Sequence, residues 1–266
     1  MNVIPLEVTD LALAASLLLI NAGLSLALAL GLERPLMIAA LRMVVQLWLV
    51  GLILEHLFAL TTPGWTALVA LAMVGFAGLE IMNRQQRRLK GLWGLALGTA
   101  TMAIAAVAMT LLALTVFLTP DPWYTPRYAI PLFGMILGNS MTGIGLGLNS
   151  LTTAAVREKA AIEAQLALGA SRWQALRPVG QEALRSGSMP IVNSMATTGL
   201  VFLPGMMTGQ ILAGVEPTLA VKYQLLIMFL IAGATGMGVL LAVVGGAWRL
   251  TDSRHRLRLE RLRDPR

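Results

Sequence analysis

The stretch Leu11–Leu32, LALAASLLLINAGLSLALALGL, holds 22 residues and no charge. About 20 apolar residues in a helix, each rising about 1.5 Å, cross the hydrocarbon layer of a bilayer. The stretch therefore reads as a membrane-spanning helix. Runs of the same kind follow along the chain. Leu36–Leu60 is interrupted by Arg42 and Gln46 and carries Glu55 and His56 near its end. Trp65–Met82 is short, Gly91–Leu118 is long enough to tilt, and Ala129–Leu151 is rich in glycine. Ser188–Ala213 contains Pro204-Gly205, and Leu219–Trp248 has Lys222 near its beginning. Strands of a membrane barrel alternate polar and apolar residues over about ten residues, whereas these runs are apolar throughout and longer. The expected fold is all-α: a polytopic integral membrane protein with about seven transmembrane helices, forming one transmembrane domain over 1–266.

Composition agrees. The chain is 57% hydrophobic and 12% charged, with a mean hydropathy of +0.75. A soluble domain carries about 25% charged residues, so the soluble fold classes are excluded. Cysteine is absent, which excludes disulfides and thiolate chemistry, and His56 and His255 are the only histidines. Turn signals fall between the spans at Thr62-Pro63-Gly64, Thr119-Pro120-Asp121-Pro122 and Glu216-Pro217, where a missing backbone donor costs little.

The net charge of +7 points to the membrane rather than to nucleic acid, because of where the cations fall. Of the 20 Lys and Arg, all but Arg127 and Lys222 lie on one side of the expected topology. The positive side stays in the cytoplasm, which puts the N-terminus outside and the tail Arg249–Arg266 inside. Glu7 and Asp10 flank the first span where a cleaved leader would have basic residues, so the span is read as retained. The arginine-rich tail reads as a topology anchor that touches anionic lipid, with partner docking as the alternative.

The longest hydrophilic stretch between spans is Thr152–Gly187. A helix is expected over about Ala154–Leu168, stopped by Gly169, because glycine accepts the left-handed conformation that ends helices. Ser171 with Gln174 three residues on forms a capping box for a second helix. Pro178 then bends that helix before it re-enters the bilayer.

Polar residues inside the spans mark candidate function. Gly134 and Gly138, and Gly143 and Gly147, are spaced to let helix backbones touch in lipid. Asn139 and Asn149 are amides at membrane depth, serving either interhelical bonds or, for Asn139 with Thr142, a polar pathway. Asn193 and Thr197 extend that pathway onto the next span. Pro204 removes one amide and frees the carbonyl of Leu200, and Gly205 adds freedom, so the segment is either a buried kink or a gate. Met206 and Met207 are candidate soft-metal ligands, against a background in which methionine mostly packs. Glu80 and Arg84 are spaced as a helix ion pair. Glu55 and His56 read as solvated residues near the outer surface. No Gly-x-x-x-x-Gly-Lys-Ser/Thr loop, His-Glu-x-x-His or Gly-x-Ser-x-Gly motif is present, so the chain is read as a non-enzyme that does not itself hold ATP.

Two resemblances sharpen this. Glu163-Ala164-Gln165 followed by Leu166-Ala167-Leu168-Gly169-Ala170-Ser171 resembles the coupling loop of ABC transporter permeases, in which a short helix sits in a cleft of an ATPase subunit. The resemblance implies ATPase coupling by Glu163, Ala164, Leu168, Gly169, Ala170, Ser171 and Trp173, within a cytoplasmic segment at about 152–187. Gly134-Met135-Ile136, Gly138-Asn139, Met141, Gly199-Leu200-Val201, Leu203-Pro204-Gly205-Met206-Met207, Gly209, Ala213-Gly214, Pro217 and Lys222-Tyr223-Gln224 resemble the FetB-type permeases across the whole chain. That family implies a bacterial inner-membrane permease, a homodimer with a separate ATPase that binds ATP and Mg, exporting iron or another metal. Plant relatives linked to aluminium tolerance and nucleotide sugars keep a different substrate open. A proton-coupled secondary transporter remains the rival from another class; it requires a mid-membrane carboxylate.

Overall fold

The computed structural model describes residues 7–59 and 62–263, and the side chains of Glu55 and His56 lie outside the described residues. The chain divides into two compact units, 1–60 and 61–266. The first is a helical hairpin of α1 (Val8–Ala27) and α2 (Glu33–Ala59). Ser25 closes it: its hydroxyl donates to Glu33 Oε2 at 2.8 Å and accepts the Leu32 N–H at 2.9 Å. Arg42 and Gln46 are exposed within this unit.

The second unit contains α3 (Pro63–Asn83), α4 (Trp93–Leu112), α5 (Pro126–Arg157), α6 (Lys159–Ala167), α7 (Arg172–Ala175), α8 (Arg177–Thr197), α9 (Gly205–Leu212) and α10 (Pro217–Arg249). A π-helical turn, Ala113–Phe117, extends α4. The expected turns are where proline placed them: Pro63 and Pro217 each stand in the first turn of a helix, where an amide would be unbonded anyway. Six described helices, α1 to α5 and α10, are long and apolar enough to cross a bilayer.

The helix α5 is the axis of this unit, and α3, α4, α8 and α10 pack around it. Lipid offers no hydrophobic drive between helices, so close backbone approach supplies the attraction. A methyl group at Gly143 would stand 2.7 Å from the Gly187 carbonyl oxygen and 2.7 Å from Thr235 Cγ2. At Gly147 a methyl would lie less tightly, 3.2 Å from Val239 Cγ1 and 3.5 Å from the Ala183 carbonyl oxygen. These pairings run α8 antiparallel and α10 parallel to α5. Of the expected glycine pairs, Gly143 and Gly147 thus make the seam, whereas Gly138 faces open space and Gly134 meets only the Met73 methyl.

Two boundaries differ from expectation. No separate helix begins at Ala154: α5 continues to Arg157, since nothing between Leu151 and Arg157 breaks a helix, and the bend comes at Glu158. The run Ser188–Ala213 is not one helix. It is the end of α8, a break over 198–204, and α9. Gly199 turns left-handed (φ +88°) and its N–H bonds to the Phe202 carbonyl at 2.9 Å. Leu200 therefore sits in the turn itself and not four residues back along a helix, and Pro204 is the residue that caps α9.

The tail is folded. Thr251 and Leu257 pair as a short antiparallel bridge, and Leu262 pairs with Leu89 in the α3–α4 turn. Both leucines are buried. Arg261 Nη1 donates to the carbonyls of Arg249 at 2.6 Å and Thr251 at 3.2 Å, satisfying acceptors at the end of α10.

Candidate transport path and coupling corner

On the same side of the Gly143–Gly187 contact, α5 presents Asn139 one turn away and α8 presents Asn193 nearly two turns away, and both are exposed. Asn139 Nδ2 donates to the Met135 carbonyl at 2.8 Å, which leaves its amide oxygen outward. Thr142 donates to the Gly138 carbonyl at 3.2 Å and accepts from Arg84 Nη1 at 3.5 Å. Arg84 Nε in turn lies 3.5 Å from Glu80 Oε1, the helix pair read from the spacing. A polar line thus runs from α3 to α5 through Glu80, Arg84 and Thr142. Asn149 has a structural task instead: its Oδ1 accepts the Gln86 N–H at 2.8 Å.

The sequence reading missed the face of α8. Gln181, Glu182, Arg185, Met189 and Asn193 are all exposed. A cavity of about 430 Å³ is lined by Pro178, Gln181, Glu182, Arg185, Ser186 and Met189. The spacing of Gln181, Arg185 and Met189, one helical turn apart, was the available signal. Beyond this face, Thr197 donates to the Asn193 carbonyl at 2.9 Å and Thr198 to the Ser194 carbonyl at 2.7 Å, so the last turn of α8 is sealed before the break.

Past the break, Gly205 opens α9 with open space beside it. Met207 is buried and Met206 packs against the core, so the structure places both in packing positions. Among the described residues, no group of three or more His, Asp or Glu could hold a metal ion. Asn139 and Thr142 therefore belong to α5, Asn193 and Thr197 to α8, and Pro204, Gly205, Met206 and Met207 to the far side of the break. A separate cavity of about 220 Å³ between α3, α4 and α5, lined by residues such as Ala70, Leu114, Trp123 and Phe133, is apolar and holds none of them.

The α6–α7 corner has the geometry expected of it. Gly169 is left-handed (φ +91°). Ser171 Oγ accepts the Gln174 N–H at 3.4 Å while Gln174 Oε1 accepts the Ser171 N–H at 2.9 Å, a complete capping box. Glu163 pairs with Lys159 at 3.8 Å. Leu168, beside Ala164 and Ala170, is 89% exposed, and Trp173 is 45% exposed under the Arg172 guanidinium at 5.3 Å.

Sequence reasoning did not foresee the part of the tail at this corner. His255 Nδ1 accepts the Arg172 N–H at 3.0 Å, and Arg172 Nη1 donates to the Asp252 carbonyl at 3.4 Å. The Asp252 carboxylate is held below the usual carboxylate range, first by the backbone N–H of Arg256 and then by the Arg256 side chain and the N–H of Arg254. Only the fold brings residues 80 positions apart together, and no local pattern announces it.

Helices crossing a bilayer, a polar seam and a helical surface corner define a multi-pass, all-helical membrane protein of the permease kind. The family model described as "Uncharacterised protein family (UPF0014)" matches residues 8–250, and the chain belongs to that family. It is 42% identical over 206 residues to the UPF0014 membrane protein slr1647 of Synechocystis, covering 76% of this chain and 77% of that one. It is 31% identical over 254 residues, 96% of each chain, to the probable iron export permease protein FetB of Escherichia coli. It is 34% identical over 205 residues to the protein ALUMINUM SENSITIVE 3 of Arabidopsis thaliana, covering 77% and 73%. No solved structure matches.

Proposed function

We propose that the chain is the permease subunit of an ABC transporter, a homodimer in a bacterial inner membrane, exporting iron or another metal with ATP and Mg bound by a separate ATPase. The observation that carries this reading is the exposure of Leu168 and Trp173 on a corner stiffened by the Ser171–Gln174 box. An element that transmits motion must be rigid and must offer apolar surface to a cleft. The α3–α4 turn, the α6–α7 corner and the tail meet through hydrogen bonds at one end of the second unit. They carry most of the basic residues, which supports a cytoplasmic placement of that end and of the C-terminus, with the N-terminus outside.

The exposed Arg185 of α8 supports the homodimer. Glu182 is paired with Arg157 at 3.0 Å, whereas Arg185 is exposed on α8, a charge costly against lipid that a second copy can cover while leaving a water-filled path between. Asn139, Thr142, Asn193 and Thr197 then line that path, and the break with Pro204 and Gly205 gates it. A second reading of the cargo has its own observation. Arg84 lies beside Thr142 on this line, which favours an anion, such as a nucleotide sugar or a metal held by an anionic chelator.

The deciding experiment is co-purification. Leu168→Asp is expected to abolish capture of the ATPase while membrane insertion persists. Retained capture overturns the coupling assignment. Reconstituted vesicles offered ferrous iron, other divalent metals and a nucleotide sugar then identify the cargo.

A further inference from the structure

We propose that the folded C-terminal tail is a brace that fixes the α6–α7 corner to the bundle, with His255 as a positioning residue for the corner. The inference rests on the reading that this corner receives the ATPase.

Left to itself the corner is held by few side chains: Leu166 packs against the core and Leu176 is buried just past α7. Ile162 is the buried residue of α6, and Ala175 that of α7. Such an element deflects locally when pushed. Arg172, the first residue of α7, carries an N–H that its own helix cannot satisfy. His255 Nδ1 takes that N–H at 3.0 Å, and the Arg172 guanidinium reaches the Asp252 carbonyl at 3.4 Å. One residue of the corner is thus bonded twice to one turn of the tail.

That turn is itself fastened at both ends. Arg258 N–H donates to the Leu250 carbonyl at 2.8 Å, tying the tail to the end of α10. Lys90 N–H donates to the Arg261 carbonyl at 2.7 Å, and Arg263 N–H to the Arg88 carbonyl at 2.8 Å, tying it to the α3–α4 turn. Asp252 makes the turn rigid by accepting the N–H groups of Arg254 and Arg256 at 3.0 and 2.9 Å. The corner is covalently continuous only with α5 and α8, yet through the tail it is bonded to α10 and to the α3–α4 turn. A load applied at Leu168 reaches α5, α8, α10 and the α3–α4 turn at once.

The chain contains no cysteine, so a single nitroxide on Leu168→Cys reports the corner in the full-length protein in nanodiscs. Loss of one net hydrogen bond shifts a local equilibrium about fivefold, so His255→Ala should raise the mobile spectral fraction by about that factor. His255→Asn, whose amide oxygen accepts the same N–H, should restore the wild-type spectrum. Arg263→Pro deletes the donor to the Arg88 carbonyl and should loosen the label, whereas Arg263→Ala keeps that N–H and should not. In the reconstituted complex, His255→Ala should retain the ATPase and its hydrolysis but move less cargo per ATP. Unchanged label mobility in both His255→Ala and Arg263→Pro overturns the brace. Loss of ATPase capture in His255→Ala also overturns it, by making His255 part of the dock. Failure of the coupling reading shows separately, as capture that survives Leu168→Asp.

Discussion

Gly143 and Gly187 meet backbone to backbone: a methyl on either would stand 2.7 or 2.8 Å from the carbonyl oxygen of the other. Neither helix can retreat, because Thr235 and Val239 of α10 close the third side. Overpacking a filled core costs about 1–3 kcal/mol. Gly143→Ala and Gly187→Ala should each lower the unfolding midpoint in mild detergent by an amount in that range. Gly138→Ala, on the same helix but facing open space, is the control and should leave it unchanged.

The break between α8 and α9 depends on Gly199 more than on Pro204. A residue with a Cβ pays about 1–2 kcal/mol to adopt the left-handed conformation that Gly199 holds. Pro204 lies outside the helix as a cap, so Pro204→Ala leaves the break in place. Gly199→Ala should therefore slow transport more than Pro204→Ala at equal expression. The opposite order in a vesicle assay would return the role to the proline.

Ser171→Ala removes one half of the capping box. Such caps contribute about 1 kcal/mol, and α7 is a single turn with little else to hold it. Amide exchange at residues 172–175 should accelerate several-fold, with exchange in α5 unaffected. Equal rates would mean that packing of Ala175, rather than the box, maintains the turn.

Asp252 gives the tail a pH signature. Its carboxyl is held low chiefly by the Arg256 N–H, so the stabilisation is fully present above the ordinary aspartate range, about 3.9, and is lost as pH falls through the lowered value. Protease resistance of the tail should persist across the range in which unbonded aspartates protonate, then fail below it. Asp252→Asn should remove that acid transition and leave a tail already susceptible at neutral pH.

Arg84 separates path from pairing. An exposed helix ion pair is worth about 0.3–0.5 kcal/mol, so Glu80→Gln should hardly change stability. Arg84→Ala should alter transport because it removes the cation beside Thr142. If both variants transport alike, the Glu80–Arg84–Thr142 line is scaffolding.

Local chemistry was legible in the sequence. The Gly169 stop, the Ser171–Gln174 box, the proline-marked turns and the Glu80–Arg84 pair each depend on residues within a few positions of one another. Two other features were not. The Ser188–Ala213 run has enough apolar residues to read as a span, and only the left-handed Gly199, invisible to hydropathy, divides it. The tail looked like a basic patch on lipid because Leu89–Leu262 and Arg172–His255 are contacts that chain distance hides. The α8 face was written in the spacing of Gln181 and Arg185, but both fell in the hydrophilic stretch Thr152–Gly187, read as surface helices before the next span.

The seven residues of the break between α8 and α9 carry Leu200 at 92% and Val201 at 78% exposure. The helix α8 is closed by Thr198, whose N–H bonds to the Ser194 carbonyl, and α9 opens at Pro204 with no side-chain cap, so swinging α9 about this joint leaves both helical ladders intact. The energetic cost of such a stroke is then set by solvation of a few aliphatic side chains rather than by unwinding, and the composition of the surrounding lipid becomes a direct control on cycling speed.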